Sequence, residues 1–238
     1  MIAVRKAQDI YQAEGKIENG TFHGRWHFSF GEYYDRRYMH FGTLRVFNDD
    51  TLSPGAIWPL HPHRDIEVVT YCAAGEFRHA DQHGEGGVLK KGWVQHTTVG
   101  RGLFHSEINN LPDQPMRFIQ MWFAPLRHGL PPSVQQKQVE REERTNRLLA
   151  LVSNEDPESL PIASEAKVYS CFLQKGKTVS YRLKEGHGGY LYVVEGGGTS
   201  VNDEALNPLD AAMISDETEL LMKADDDAEL LLVAVPLT

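Results

Sequence analysis

His61-Pro-His-Arg-Asp-Ile-Glu67 and the later Gly100-Arg-Gly-Leu-Phe-His-Ser-Glu-Ile-Asn109 decide how this chain is read. Each stretch carries metal-ligating residues two apart: His61 with His63, and His105 with Glu107. On a β-strand, residues i and i+2 point to the same face. Two such strands facing one another inside a β-barrel bring three imidazoles and one carboxylate to a point. One His-x-His is a weak signal. Followed by His-x-Glu, with Gly55 and Gly102 beside the two pairs, it is a much stronger one.

Three neutral imidazoles and a carboxylate suit one divalent first-row metal. Iron is expected first, with copper, nickel, cobalt, manganese and zinc as alternatives. A structural zinc site favours thiolates, and none lies nearby. Four protein ligands leave up to two octahedral positions for water, substrate or dioxygen. Glu67 competes with Glu107 for the fourth place, because it shares the parity of His61 and His63. Pro62 removes a backbone donor and weakens that parity argument. Local geometry therefore favours Glu107. His79, His83, His96 and His128 are expected to be ordinary core or surface histidines.

Composition bounds the rest. The chain has 238 residues and a formal net charge of −9, with 41% hydrophobic and 24% charged residues, the balance of a globular protein. An acidic surface disfavours nucleic acid, and Lys90-Lys91 is too small a basic cluster to reverse that. The N-terminal stretch carries early charges without an apolar core, unlike a signal peptide, and no apolar run reaches membrane-spanning length. Cys72 and Cys171 are expected to be unpaired thiols, and the location cytoplasmic.

Short β-rich runs separated by Gly, Asn, Asp and Pro dominate, among them residues 43–49, 66–73, 117–124, 167–174, 189–196 and 228–235. Their spacing predicts an all-β barrel or sandwich. Residues 75–87 read as a hairpin with a Gly-rich turn. The run 67–75 is echoed in character by 189–196, which suggests two copies of one barrel. Residues 1–130 are assigned to a metal-binding barrel and 166–238 to a metal-free one, whose sole histidine is His187. Between them, 131–165 is a connection with one short helix near 140–144, its charges read as a solvated face.

The histidine pattern is similar to that of the cupin superfamily, whose barrel is a double-stranded β-helix. More narrowly, RWHFSFGEYYD, FGTLRVFNDD, HPHRDIEVVTY, GGVLKKGWVQHTTVGRGLFHSE and IQMWFAP resemble segments of the pirin family, in order, over about residues 20–135. The resemblance implies a two-barrel (bicupin) fold with one metal in the first barrel. It implies His61, His63, His105 and Glu107 as ligands, with Glu67 outside. Tyr71–Gly75 departs from the family, which often has an acidic residue before the glycine; little consequence is expected.

Some pirins oxidise quercetin with dioxygen, and others are transcription co-regulators. The resemblance thus implies a metal-dependent dioxygenase of a flavonol or related enol, taking a small aromatic substrate and dioxygen, with Glu107 as general base. Phe30, Phe104, Gln120 and Trp122 are candidates to line the substrate cleft; Gln120 and Trp122 share a face. Arg64 is either a neighbour of the metal or a surface charge. The rival reading is a non-catalytic metal-binding regulator acting through a protein partner. Cupin folds also carry isomerases and lyases.

Overall fold

Apart from Arg117, the run Met116–Phe123 is apolar or amide-bearing on both of its faces, the pattern of a strand covered on both sides. It is the central strand of its sheet in the computed structural model, which describes residues 1–82 and 86–237. The strands of the first half are β1 (Ile2–Arg5), β2 (Tyr11–Ile17), β3 (Gly20–Trp26), β4 (Leu44–Leu52), β5 (Ile57–His63), β6 (Glu67–Ala74), β7 (Glu76–Asp81), β8 (Gly86–Lys90), β9 (Val94–Thr98), β10 (Leu103–Asn109), β11 (Met116–Phe123) and β12 (Ser133–Lys137). The second half adds β13 (Leu149–Val152), β14 (Lys167–Leu173), β15 (Thr178–Arg182), β16 (His187–Gly196), β17 (Thr199–Val201), β18 (Glu204–Leu206), β19 (Ala211–Ile214), β20 (Glu219–Ala224) and β21 (Ala228–Pro236). The tip of the 75–87 hairpin, including His83, lies outside the described residues.

The first unit is a seven-stranded sheet, β12-β9-β6-β11-β4-β3-β2, faced by a four-stranded sheet, β5-β10-β7-β8. The second repeats the plan, with β1-β19-β16-β21-β14-β13 faced by β15-β20-β17-β18. Each is a double-sheet jelly roll, so the all-β bicupin expectation holds. The large sheets pack back to back. Ile119, Met121 and Phe123 meet Tyr190, Tyr192 and Leu231 in one continuous core. The opposite face of β11, with Phe118, Gln120 and Trp122, looks into the first jelly roll. The interior of the second is filled by apolar side chains such as Leu191, Val193, Met222 and Leu232.

Strand pairing crosses between the halves, because β1 pairs with β19. Two buried ionic knots join the units. Arg117 donates to both oxygens of Asp49 at 2.7 and 2.6 Å and to the Val194 carbonyl at 3.0 Å, while the Tyr192 hydroxyl donates to Asp49. Tyr71 donates to Glu229, which also holds Arg144 at 3.2 Å. Arg144 corrects one expectation: the short helix is a 3-10 turn, Glu142–Arg144, and this member of the charge run is buried. Its carboxylate partner sits on β21, a pairing no local pattern reveals. Cys72 and Cys171 are both buried, free thiols. No helix is long and apolar enough to cross a membrane among the described residues.

Candidate metal centre

β5 is an edge strand, which is why it tolerates Pro59 and Pro62. It pairs with β10 so that His61 lies opposite His105 and His63 opposite Leu103. The register then slips, and Glu107 faces Trp58, leaving an extra residue in β5 around Pro59 and Leu60. Such a bulge re-aims side chains. His61, His63 and His105 converge, with one ligand nitrogen from each within 4.8 Å of the others. Their ring centroids are 4.6 to 4.9 Å apart. Glu107 joins them, Oε2 lying 3.8 Å from His61 Nε2 and Oε1 3.6 Å from His105 Nε2.

The outer contacts show which nitrogens are left to face the cluster. His61 Nδ1 donates to the Pro59 carbonyl at 2.7 Å, so Nε2 is the nitrogen left for the cluster. His105 Nδ1 lies 3.0 Å from His79 Nε2, leaving His105 Nε2 for the cluster. Nε2 of both His63 and His105 is buried without any hydrogen-bond partner among the described residues. Buried polar atoms are almost always satisfied. Two orphaned imidazole nitrogens beside a carboxylate fit a cation bound among them. This donor set suits a single divalent metal.

Burial pushes His63 down to about 4 and His105 to about 3, with neighbouring imidazoles adding to the effect. His79 is pushed to about 4 by burial and then by His105. All three are neutral at pH 7. Their unfolded values lie near 6.5, so the stability they contribute is complete above that and is lost as pH falls towards 4. The slope is ~1.4 kcal/mol per pH unit for each imidazole that stays unprotonated in the fold. The metal-free protein should therefore lose urea stability steeply between pH 6.5 and 4.5. A midpoint independent of pH over that range would contradict it.

A cavity of about 130 Å³ opens beside the cluster, lined by Phe30, Asn48, Asp50, Trp58, Phe118, Gln120 and Trp122, with His61, His63 and Glu107. Gln120 links wall to carboxylate. Its Nε2 donates to Glu107 Oε1 at 2.8 Å, and its Oε1 accepts from Trp122 Nε1 at 2.7 Å. Trp122 packs edge-on to His63 and to Phe30. Burial pushes Asp50 up to about 8, helped by the charges of Asp49 and Glu107 and opposed by a hydrogen bond from Trp26 Nε1 at 3.1 Å.

Phe30, Gln120 and Trp122 thus meet at the cavity, but Phe104 does not. It is 47% exposed, because alternation along β10 that turns His105 and Glu107 inward turns Phe104 out. Glu67 is neither beside the cluster nor at the surface. Asp65 turns the chain at φ 50° between β5 and β6 and cancels the shared parity. Glu67 instead accepts from His96 at 2.8 Å, Thr98 at 3.0 Å and the Ala163 backbone at 3.1 Å. Arg64 is an exposed charge beside Asp65, and His128 is exposed near the same residue. Asn48, Asp50, Trp58 and Phe118 escaped the sequence reading, and His79, expected to be an ordinary histidine, stands behind His105. Asn48 and Asp50 had a signal: polar residues two apart in the otherwise buried strand β4.

Two tandem jelly rolls, the first with an inward cluster of histidines and a carboxylate, define a bicupin. Residues 8–123 match the family described as Pirin, and residues 150–235 match the one described as Quercetinase C-terminal cupin domain. A pirin-like protein of Caulobacter vibrioides is 38% identical, over 92% of this chain and 94% of its own. A quercetin 2,3-dioxygenase of Escherichia coli K12 is 30% identical over 99% of both. The bacterial pirin YhhW of Escherichia coli, solved in complex with nickel(II), superposes with a TM-score of 0.91 at 28% identity, covering 100% of both chains. The chain belongs to the pirin family.

Proposed function

We propose that this pirin is a metal-dependent dioxygenase that oxidises an enol or phenol of the flavonol type. The observation that carries the reading is the pair of orphaned, neutral imidazole nitrogens facing Glu107 at the edge of an aromatic-walled cavity. His61, His63, His105 and Glu107 would hold the metal, with iron the first to try. A divalent metal there supplies Lewis acidity and redox capacity. The protein does the rest. Trp122 and Phe30 flank a flat substrate, Gln120 fixes the Glu107 carboxylate through Oε1, and Oε2 is left to take the proton of the substrate hydroxyl. The enzymatic reading is supported by a quercetin 2,3-dioxygenase among the relatives, and the choice of Glu107 over Glu67 by the place of Glu107 in the cavity wall and the engagement of Glu67 with His96, Thr98 and Ala163.

The test is anaerobic loading with iron, manganese, cobalt, nickel, copper and zinc in turn, then addition of a flavonol and dioxygen while its absorbance is followed. Glu107→Gln should lower metal-dependent turnover by ~10²–10⁴-fold. Glu67→Gln should leave turnover within a few-fold and lower thermal stability instead. Equal losses would remove the special place given to Glu107. Full metal loading with no turnover under any metal would replace the enzymatic reading with a non-catalytic one.

A further inference from the structure

The cavity beside the cluster has a second polar wall that the proposed chemistry has not used. Asn48 and Asp50 are two apart on β4, so both project from the large sheet towards the small one. Asn48 is 4% exposed and Asp50 5%, and both line the cavity. Asn48 Oδ1 is a buried acceptor with no partner among the described residues. Asp50 Oδ1 accepts from Trp26 Nε1, which leaves Oδ2 as the place for a carboxyl proton. The neighbouring positions Trp58, Phe118 and Trp122 are aromatic, so these are the polar groups on a wall otherwise shaped for a flat ring.

Size narrows the occupant. An apolar cavity of ~150 Å³ holds one benzene ring. The cavity here is about 130 Å³, room for one ring or its open-chain equivalent and not for the fused and pendant rings of a flavonol.

We infer that the site takes a compact, one-ring or open-chain hydroxy-carbonyl compound, whose carbonyl oxygen accepts from Asp50 Oδ2–H and whose second hydroxyl donates to Asn48 Oδ1. This rests on the enol-oxidising reading and names the substrate class within it. A larger flavonol can enter only with part of itself outside the cavity. Asp50 fits the donor role because burial holds its carboxyl uncharged at neutral pH.

Binding tests this without turnover. Calorimetry under anaerobic conditions on the zinc-loaded protein compares 3-hydroxy-4-pyranone carrying a hydroxymethyl group with 3-hydroxyflavone, which presents the same chelating edge on a larger frame. The pyranone should bind, and the flavone should gain nothing from its extra apolar surface. Asp50→Leu and Asn48→Leu should each weaken pyranone binding about tenfold. Asp50→Asn keeps a donor at the same place and should stay within about threefold; it also serves if the leucine variants fail to fold. Undiminished binding in the leucine variants, a tenfold loss in Asp50→Asn, or a tenfold gain for the flavone would each overturn the assignment. None of these bears on turnover. The enol-oxidising reading fails separately, when a bound hydroxypyranone and a flavonol both go unoxidised by dioxygen under every metal.

Discussion

His105→Ala should abolish stoichiometric metal binding. His105 is the innermost of the three histidines, on the strand that also supplies Glu107, and its Nε2 has no other partner. Removing it deletes one donor and frees His79, whose Nε2 now faces His105 Nδ1 at 3.0 Å. The outer partner thus loses its purpose together with the ligand. His79→Ala should do less: outer partners are worth ~10–100-fold in metal affinity. Metal content after dialysis, measured on both variants and on His61→Ala, checks the order. Full occupancy in His105→Ala would refute the site. The variant should remain folded, because it also removes a buried group that must stay neutral.

Arg117→Ala should be the most destabilising single change away from the metal centre, by ~3–5 kcal/mol, because it leaves Asp49 charged and buried without its cation. Asp49 is 1% exposed. The guanidinium satisfies both of its oxygens and also the Val194 carbonyl of the second jelly roll, so three acceptors lose their donor together. Tyr192 alone remains on Asp49. Urea denaturation of metal-free and metal-loaded protein should show the same loss in both. Arg117→Ala with Asp49→Leu should recover part of it, since removing both charges costs less than removing one. A loss below about 1 kcal/mol would mean that water enters the interface and replaces the arginine.

The convergence of the two pairs was legible because strand parity is local. His61 and His63, like His105 and Glu107, need only a regular strand to share a face, and β5 and β10 provide it. Gln120 and Trp122 were legible for the same reason. Parity failed where the chain turned between the residues compared. Asp65 separates His63 from Glu67, so parity counted along the chain made Glu67 a rival to Glu107 for a place that the fold denies it. Phe104 failed the other way: its aromatic character suggested a pocket, and the alternation that placed its neighbours should have excluded it.

The sequence by itself determined the all-β class, the two-unit plan, the four converging residues and the family, because alternation, turn residues and motif spacing are short-range properties of the chain. Only the tertiary structure decided that His79 stands behind His105, that Glu67 belongs to His96 and the inter-unit connection, and that Arg144 is buried against Glu229. It alone showed that Asn48 and Asp50 close the cavity from the opposite sheet. Each of these depends on which strands lie side by side or face to face. That choice is made by burying apolar faces across long loops, and no residue carries a local mark of the partner it will meet.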